Sequence, residues 1–235
     1  MIRAKHNHIA QIIFRYYLKF LFRRHFSAFY LLDNLPETDP QLPVLLLPNH
    51  STWWDGFFIF HLNQYFFGRH LYLMMLDRQL RNYPFFRRVG AFGIDPESPS
   101  AIRQSLRYSA DILNQQNAGK NMLCIFPQGE LLPWHTQPIV FKNGIDVIIK
   151  QTRGPVTIMP LAIRVELLEE QRPDVFFLCG QPLVAEADTY AGGSFFCDQL
   201  TELLRKTEQR IIRRTPGRPF FKGRVSIHHR FEKSD

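Results

Sequence analysis

The 235-residue chain carries 29 Lys and Arg against 21 Asp and Glu, a formal net charge of +8 with neutral histidines, and is long enough for one domain with a sizeable core. Its 45% hydrophobic and 21% charged residues exclude a disordered or low-complexity chain, while 22 Phe beside a basic surplus point to an anionic partner: nucleic acid, a lipid surface or a phosphorylated substrate. Cys124, Cys179 and Cys197 lie too far apart for a C-x-x-C motif, so no metal site is expected and a reduced compartment is the default.

The first predicted element is a helix. His8, Gln11, Arg15, Lys19 and Arg23 fall on one helical stripe, and Ile12, Ile13, Phe14, Tyr16, Tyr17, Leu18, Phe20, Leu21 and Phe22 cover most of the remaining circumference. Two readings fit. The helix lies at the headgroup boundary of an anionic bilayer, with Arg15, Lys19 and Arg23 binding the membrane, or it docks on its own domain and leaves the basic stripe in water. The cations break up the apolar stretch, so no run reaches the roughly 18 residues of a membrane span, and no signal-peptide pattern is present. The expected organisation is an amphipathic interface helix over residues 1–33 and a domain over 34–235, peripheral on the cytoplasmic side of a membrane.

After a linker over 33–43, residues 44–47 form a short apolar run between prolines, which reads as a buried strand. Ser98-Pro99 opens a helix running to about 116, with proline at the first helical position. Residues 122–126 read as a second buried strand ended by Pro127. A helix over 144–152, strands over 156–164 and 174–178, a helix over 196–214 and a last strand over 224–231 follow. Strands alternating with helices predict an α/β domain, a central mixed sheet flanked by helices.

Open α/β sheets bind ligands at the carboxyl ends of their strands, which directs attention to Asn49-His50 after the first strand and Gln128-Gly129-Glu130 after the second. On one continuous helix His50 and Asp55 would point roughly 140° apart. With His50 in a loop and Asp55 in the first helical turn they can meet, and a carboxylate would then hold the imidazole in one tautomer and free the other nitrogen to take a proton. Equally, Thr52 and Asp55 have capping-box spacing, so Asp55 could serve only the helix start.

Asn49-His50-Ser51-Thr52-Trp53-Trp54-Asp55 resembles the Asn-His-x-x-x-x-Asp signature of the glycerolipid acyltransferases typified by 1-acylglycerol-3-phosphate acyltransferase. Phe126-Pro127-Gln128-Gly129-Glu130 is similar to that family's Phe-Pro-Glu-Gly-Thr turn, Phe141-Lys142-Asn143-Gly144 to its Phe-Lys-x-Gly step, and residues 158–164 to its Val-Pro-Val strand. The resemblance implies transfer of a fatty acyl group from acyl-CoA or acyl carrier protein to a lipid-like hydroxyl. His50 would be the general base and Asp55 its orienting partner, with no covalent intermediate and no cofactor beyond the acyl co-substrate. Gln128, Gly129, Glu130 and Lys142 would line the substrate site, with backbone groups near Gly129 as candidate oxyanion donors.

Two departures bear on the acceptor. The place of the family's phosphate-binding arginine holds Pro96, and the turn carries Gln128 and Glu130 where the family has glutamate and threonine. Arg87, Arg88 or Lys142 could replace the arginine. A lysophospholipid therefore competes with another lipid, glycolipid or pigment hydroxyl as acceptor. A non-catalytic membrane- or lipid-binding module on the same fold is the alternative function. Nucleic acid is not an expected partner, since the aromatics sit in apolar runs and no nucleic-acid-binding signature is present.

Overall fold

The structure is a computed structural model that describes residues 1–215 and 217–224. Helix α1 (His8–His25) opens on Asn7, whose side chain accepts the Ala10 N–H at 2.8 Å, and closes with Arg23, Arg24 and His25 at its negative end. Steps of four bury Ala10, Phe14, Leu18 and Phe22. Phe14 meets Phe60 edge-on at 4.9 Å and Phe22 meets Phe29 at 5.0 Å, so α1 is an integral part of the core, and each such fully buried side chain contributes about 1.5–3 kcal/mol. The opposite face stays in solvent, with Ile9, Ile13, Tyr16, Tyr17 and Phe20 exposed. The helix is thus both docked and apolar on its outer side.

The sheet has nine strands among the described residues: β1 (Ala28–Leu31), β2 (Val44–Pro48), β3 (His70–Leu76), β4 (Ala91–Ile94), β5 (Asn121–Cys124), β6 (Val156–Glu166), β7 (Asp174–Cys179), β8 (Leu183–Ala185) and β9 (Arg218–Lys222). Their order is β4-β3-β5-β2-β6-β7-β1-β9, with β8 added on β6. The first five in that order run parallel, β7 is antiparallel to β6, β1 is parallel to β7, and β9 is antiparallel to β1. The mixed α/β sheet expected from the sequence is therefore observed.

Five further α-helices lie among the described residues: α2 (Asp55–Leu62), α3 (Asp77–Asn82), α4 (Pro99–Leu113), α5 (Gly144–Ile149) and α6 (Gly193–Ile212). Alternate residues of β2 serve opposite faces. Val44 and Leu46 join the core beneath α1 and α2, whereas Leu45 and Leu47 join the core with Leu106, Ile112 and Ile148 of α4 and α5. All five β2 residues are buried, as its unbroken apolar run requires.

Ser98 caps α4 by accepting the Ala101 N–H at 3.3 Å, with Pro99 in the first turn. Strands β1, β3, β4 and β8 were not anticipated. β1 has only four residues and follows the aromatic run of α1 closely, across the short polar break of Arg23, Arg24 and His25. β9 precedes the last strand anticipated over 224–231, of which residues 225–231 lie outside the described residues.

Candidate active site

Strands β2 and β5 are adjacent and parallel, pairing Leu46 with Cys124, so the segments that leave their carboxyl ends emerge side by side. The first carries Asn49 and His50 and enters α2 at Asp55. The second carries Phe126 to Glu130.

His50 Nδ1 lies 2.8 Å from Asp55 Oδ2. A carboxylate only accepts, so Nδ1 carries the hydrogen and the neutral ring keeps its lone pair on Nε2. The Asp55 side chain is 1% exposed and the His50 side chain 25%, which leaves the imidazole open to a ligand while its partner is sealed. Asp55 Oδ2 also accepts the N–H groups of Ser51 and Thr52 at 2.7 and 2.8 Å, and Oδ1 accepts the Thr52 hydroxyl at 2.6 Å. The two sequence readings of Asp55 are therefore not alternatives: one carboxylate holds both the turn and the ring. The capping box itself is half formed, because Thr52 Oγ1 takes the Trp54 N–H at 3.2 Å instead of that of Asp55. Standing first in α2, Asp55 also meets the positive end of the helix dipole.

The loop is held from three other directions. The buried Asn49 amide donates to the Ile163 carbonyl at 3.0 Å and accepts the Ile163 N–H at 2.7 Å, joining the loop to β6. The His50 N–H donates to Gln128 Oε1 at 2.7 Å, and the His50 carbonyl accepts the Leu132 N–H at 3.0 Å. Phe126 stacks on the imidazole, centroids 4.2 Å apart and planes 22° from parallel. Sequence reasoning assigned no role to Asn49, Phe126 or Leu132. The first two stand inside the quoted motifs and could have been suspected there; Leu132 carries no signal of its own.

Gln128 is buried. Because a backbone N–H occupies Oε1, its Nε2 is directed elsewhere; it meets no partner among the described residues and is not sealed from solvent. Gly129 adopts φ 72°, and a Cβ there would stand 2.5 Å from Lys142 Cδ, so the lysine stem lies across the bare turn. The Gly129 N–H, a candidate oxyanion donor from sequence, is taken by the Phe126 carbonyl at 3.0 Å. Lys142 Nζ lies 3.9 Å from Glu130 Oε1, with both side chains 60% exposed, a pair of little energetic weight that leaves the cation accessible.

The structure thus gathers His50, Asp55, Gln128, Gly129, Glu130 and Lys142 at one sheet end. Of the three cations considered in place of the missing arginine, Arg87 donates to the Arg3 carbonyl at 3.0 Å and Arg88 is exposed on the stretch beside the N-terminal segment. Lys142 alone among them lies at the turn. Arg15, Lys19 and Arg23 are exposed on α1. No helix of the described residues is long and apolar enough to cross a membrane.

The arrangement can accept a proton at His50 Nε2 beside an uncommitted amide donor. Comparison with known proteins bears on the family and the fold. A curated relative, the 1-acyl-sn-glycerol-3-phosphate acyltransferase of Streptococcus pneumoniae (strain ATCC BAA-255 / R6), is 27% identical over 159 residues, 64% of this chain; the match takes in 53% of the relative, so the chain spans about half its length. The crystal structure of the 1-acyl-sn-glycerophosphate acyltransferase PlsC from Thermotoga maritima shares the fold, with a TM-score of 0.55 at 15% identity over 85% of this chain and 79% of that one. A family model described as Acyltransferase matches residues 28–164; that span is more than half of the chain and holds every residue of the site from Asn49 to Lys142, and the chain belongs to the acyltransferase family.

Proposed function

We propose that the protein transfers a fatty acyl group from acyl-CoA or acyl carrier protein to a hydroxyl of a lysophospholipid or other lipid-like acceptor, at the cytoplasmic surface of a membrane. The observation that carries this reading is the 2.8 Å His50–Asp55 pair, with Nε2 open at the carboxyl end of the central strand.

A hydroxyl is a weak nucleophile at neutral pH. His50 Nε2 removes its proton as the oxygen attacks the thioester carbonyl. Asp55 steadies the imidazolium that forms, and the Gln128 Nε2 donates to the oxyanion of the tetrahedral intermediate. Collapse breaks the carbon–sulfur bond, and the departing thiolate takes the proton back from His50. No covalent enzyme intermediate and no cofactor beyond the acyl co-substrate is needed. Lys142 supplies a cation for an anionic acceptor or donor. The exposed apolar face of α1, flanked by Arg15, Lys19 and Arg23, rests on the bilayer that delivers the acceptor.

His50→Ala tests the reading with the purified chain, an acyl thioester and lysophospholipid. The expected result is a loss of turnover of roughly 10²–10⁴-fold, the usual worth of a positioned general base, with an unchanged unfolding midpoint. Turnover like that of the wild type would overturn it.

A further inference from the structure

The chain that leaves β9 crosses the negative end of α1. Gly223 passes so close to the Phe26 carbonyl that a Cβ would stand 1.9 Å from it. The Gly223 N–H donates to Ser27 at 2.6 Å and the Arg224 N–H to the Arg23 carbonyl at 3.1 Å. Arg172, from the segment before β7, donates to the Arg224 carbonyl. The backbone therefore delivers Arg224 to the same surface as two cations of α1, and Lys19, Arg23 and Arg224, with the rings of Tyr16 and Phe20, line a shallow hollow of about 390 Å³.

Among the described residues no carboxylate pairs with any of these three cations. Some surface arginines are matched, as in Arg205–Glu202, Arg210–Asp33 and Arg214–Glu169, all at 2.7 Å. Others, Arg15 and Arg24 among them, are exposed without a carboxylate among the described residues, and what sets this hollow apart is that three cations from two segments converge on it. Three like charges around one hollow repel each other unless an anion joins them. The rings beside them are open, Tyr16 61% and Phe20 52% exposed, and belong to the apolar face of α1. A ligand that satisfies both is a phosphate joined to an apolar body.

We infer that this hollow is a discrete binding site for the phosphate of an anionic lipid headgroup, separate from the transfer site and distinct from diffuse attraction along the basic stripe. It rests on the interfacial placement of α1, and it would make the protein select acidic lipid in the surface it occupies.

The test is flotation of the full chain with phosphatidylcholine vesicles, with and without phosphatidylglycerol, for the wild type, Arg224→Gln and Arg15→Gln. Arg15 has the same charge and lies on the same helix, outside the hollow. Arg15→Gln is expected to lower affinity for the acidic vesicles about fivefold, as for one generic surface cation. Arg224→Gln should lower it roughly tenfold to hundredfold, as for a lost charge-assisted hydrogen bond, with an unchanged unfolding midpoint. Equal losses in the two variants would overturn the site. Failure of the wild type to bind either vesicle would overturn the interfacial placement as well. A third arm adds inorganic phosphate against chloride at matched ionic strength. No extra displacement by phosphate is expected, and full displacement would assign the hollow to free phosphate instead of a headgroup.

Discussion

The side-chain oxygen of Gln128 accepts the backbone N–H of His50 at 2.7 Å, across 78 positions of sequence. The segment after β5 thereby fixes the backbone of the histidine whose ring Asp55 fixes from the other side. An N–H can only donate, so this bond dictates which end of the Gln128 amide faces the loop. Glutamate at 128 would still accept that N–H but would replace the free amino group with oxygen. Gln128→Glu is therefore expected to keep the fold and lower kcat by roughly 10²–10³-fold, as for a lost oxyanion donor. Gln128→Ala leaves the His50 N–H without its acceptor and should in addition cost about 1–3 kcal/mol of stability. Denaturant midpoints and kcat, measured together, separate the two effects, and a Gln128→Glu enzyme with unchanged kcat would remove the donor role.

Asp55 serves the imidazole and the turn at once, and neighbouring substitutions separate these duties. Thr52→Ala deletes the hydroxyl that donates to Oδ1 and accepts the Trp54 N–H. It should cost about 1 kcal/mol, as for a lost cap, with kcat falling less than about tenfold. Asp55→Asn puts a neutral amide where the imidazolium needs a carboxylate, and should lower kcat by roughly 10³–10⁴-fold. Equal effects of the two on turnover would reduce Asp55 to a turn residue.

His61 predicts the acid behaviour of the fold. It is 3% exposed, packed between Phe22, Phe29 and Phe221, and its Nε2 has no hydrogen-bond partner among the described residues. Burial first, and then the charge of Lys19, lower its pKa to about 4 from an ordinary 6.5. The unfolded chain therefore binds a proton between those values that the native state refuses. The stability associated with neutral His61 is complete above about pH 6.5 and is lost as the pH falls toward 4, by at most about 3 kcal/mol. His61→Phe should flatten this loss. The difference between wild-type and variant midpoints across pH 4–7 measures it, and parallel curves would refute it.

The elements legible in the sequence were those with local punctuation. Prolines at 43 and 48 bracket β2, and Ser98-Pro99 starts α4 where expected. β1 was hidden because it has only four residues and follows the aromatic stretch of α1 after the short break of Arg23, Arg24 and His25. β3 and β4 were hidden because the half-buried series His70–Leu76 lacks alternation and Ala91–Ile94 has only four residues. The same division holds in the site. His50 and Asp55 are five positions apart, and a turn followed by a helix start is enough to bring them together. The Gln128–His50 and Asn49–Ile163 bonds depend on strand order, with β2 between β5 and β6, and no local pattern encodes that.

The two faces of α1 make different predictions. Removing residues 1–32 would delete Phe14, Leu18 and Phe22 from the core and β1 from the sheet, so a truncated chain would report on folding. Substitution on the outer face avoids this. Ile13→Gln, Tyr16→Gln and Phe20→Gln together alter residues 52–61% exposed and should leave the unfolding midpoint within about 0.5 kcal/mol, as for surface changes generally. Vesicle binding should fall at least tenfold, since each ring or aliphatic side chain withdrawn from the bilayer costs about 1 kcal/mol or more. Unchanged flotation would place the membrane contact elsewhere.

Lys142 offers a test of which acceptor the site prefers. Pro96 stands exposed at the place where the family resemblance puts a phosphate-binding arginine, Arg87 is engaged with the Arg3 carbonyl, and the Lys142 stem crosses the Gly129 turn next to Gln128. Lys142→Met keeps the stem and removes the charge, so packing over Gly129 should survive. If Lys142 contacts the acceptor phosphate, KM for a lysophosphatidate should rise roughly tenfold, the worth of one charge-assisted hydrogen bond. KM for a monoacylglycerol of the same chain length should stay within about twofold, and kcat should change little for either. An equal rise for both acceptors would move the lysine to the acyl-donor side, because the thioester carrier is common to the two reactions. No rise for either would leave the phosphate without a partner at this turn, and a neutral hydroxyl would then be the better acceptor.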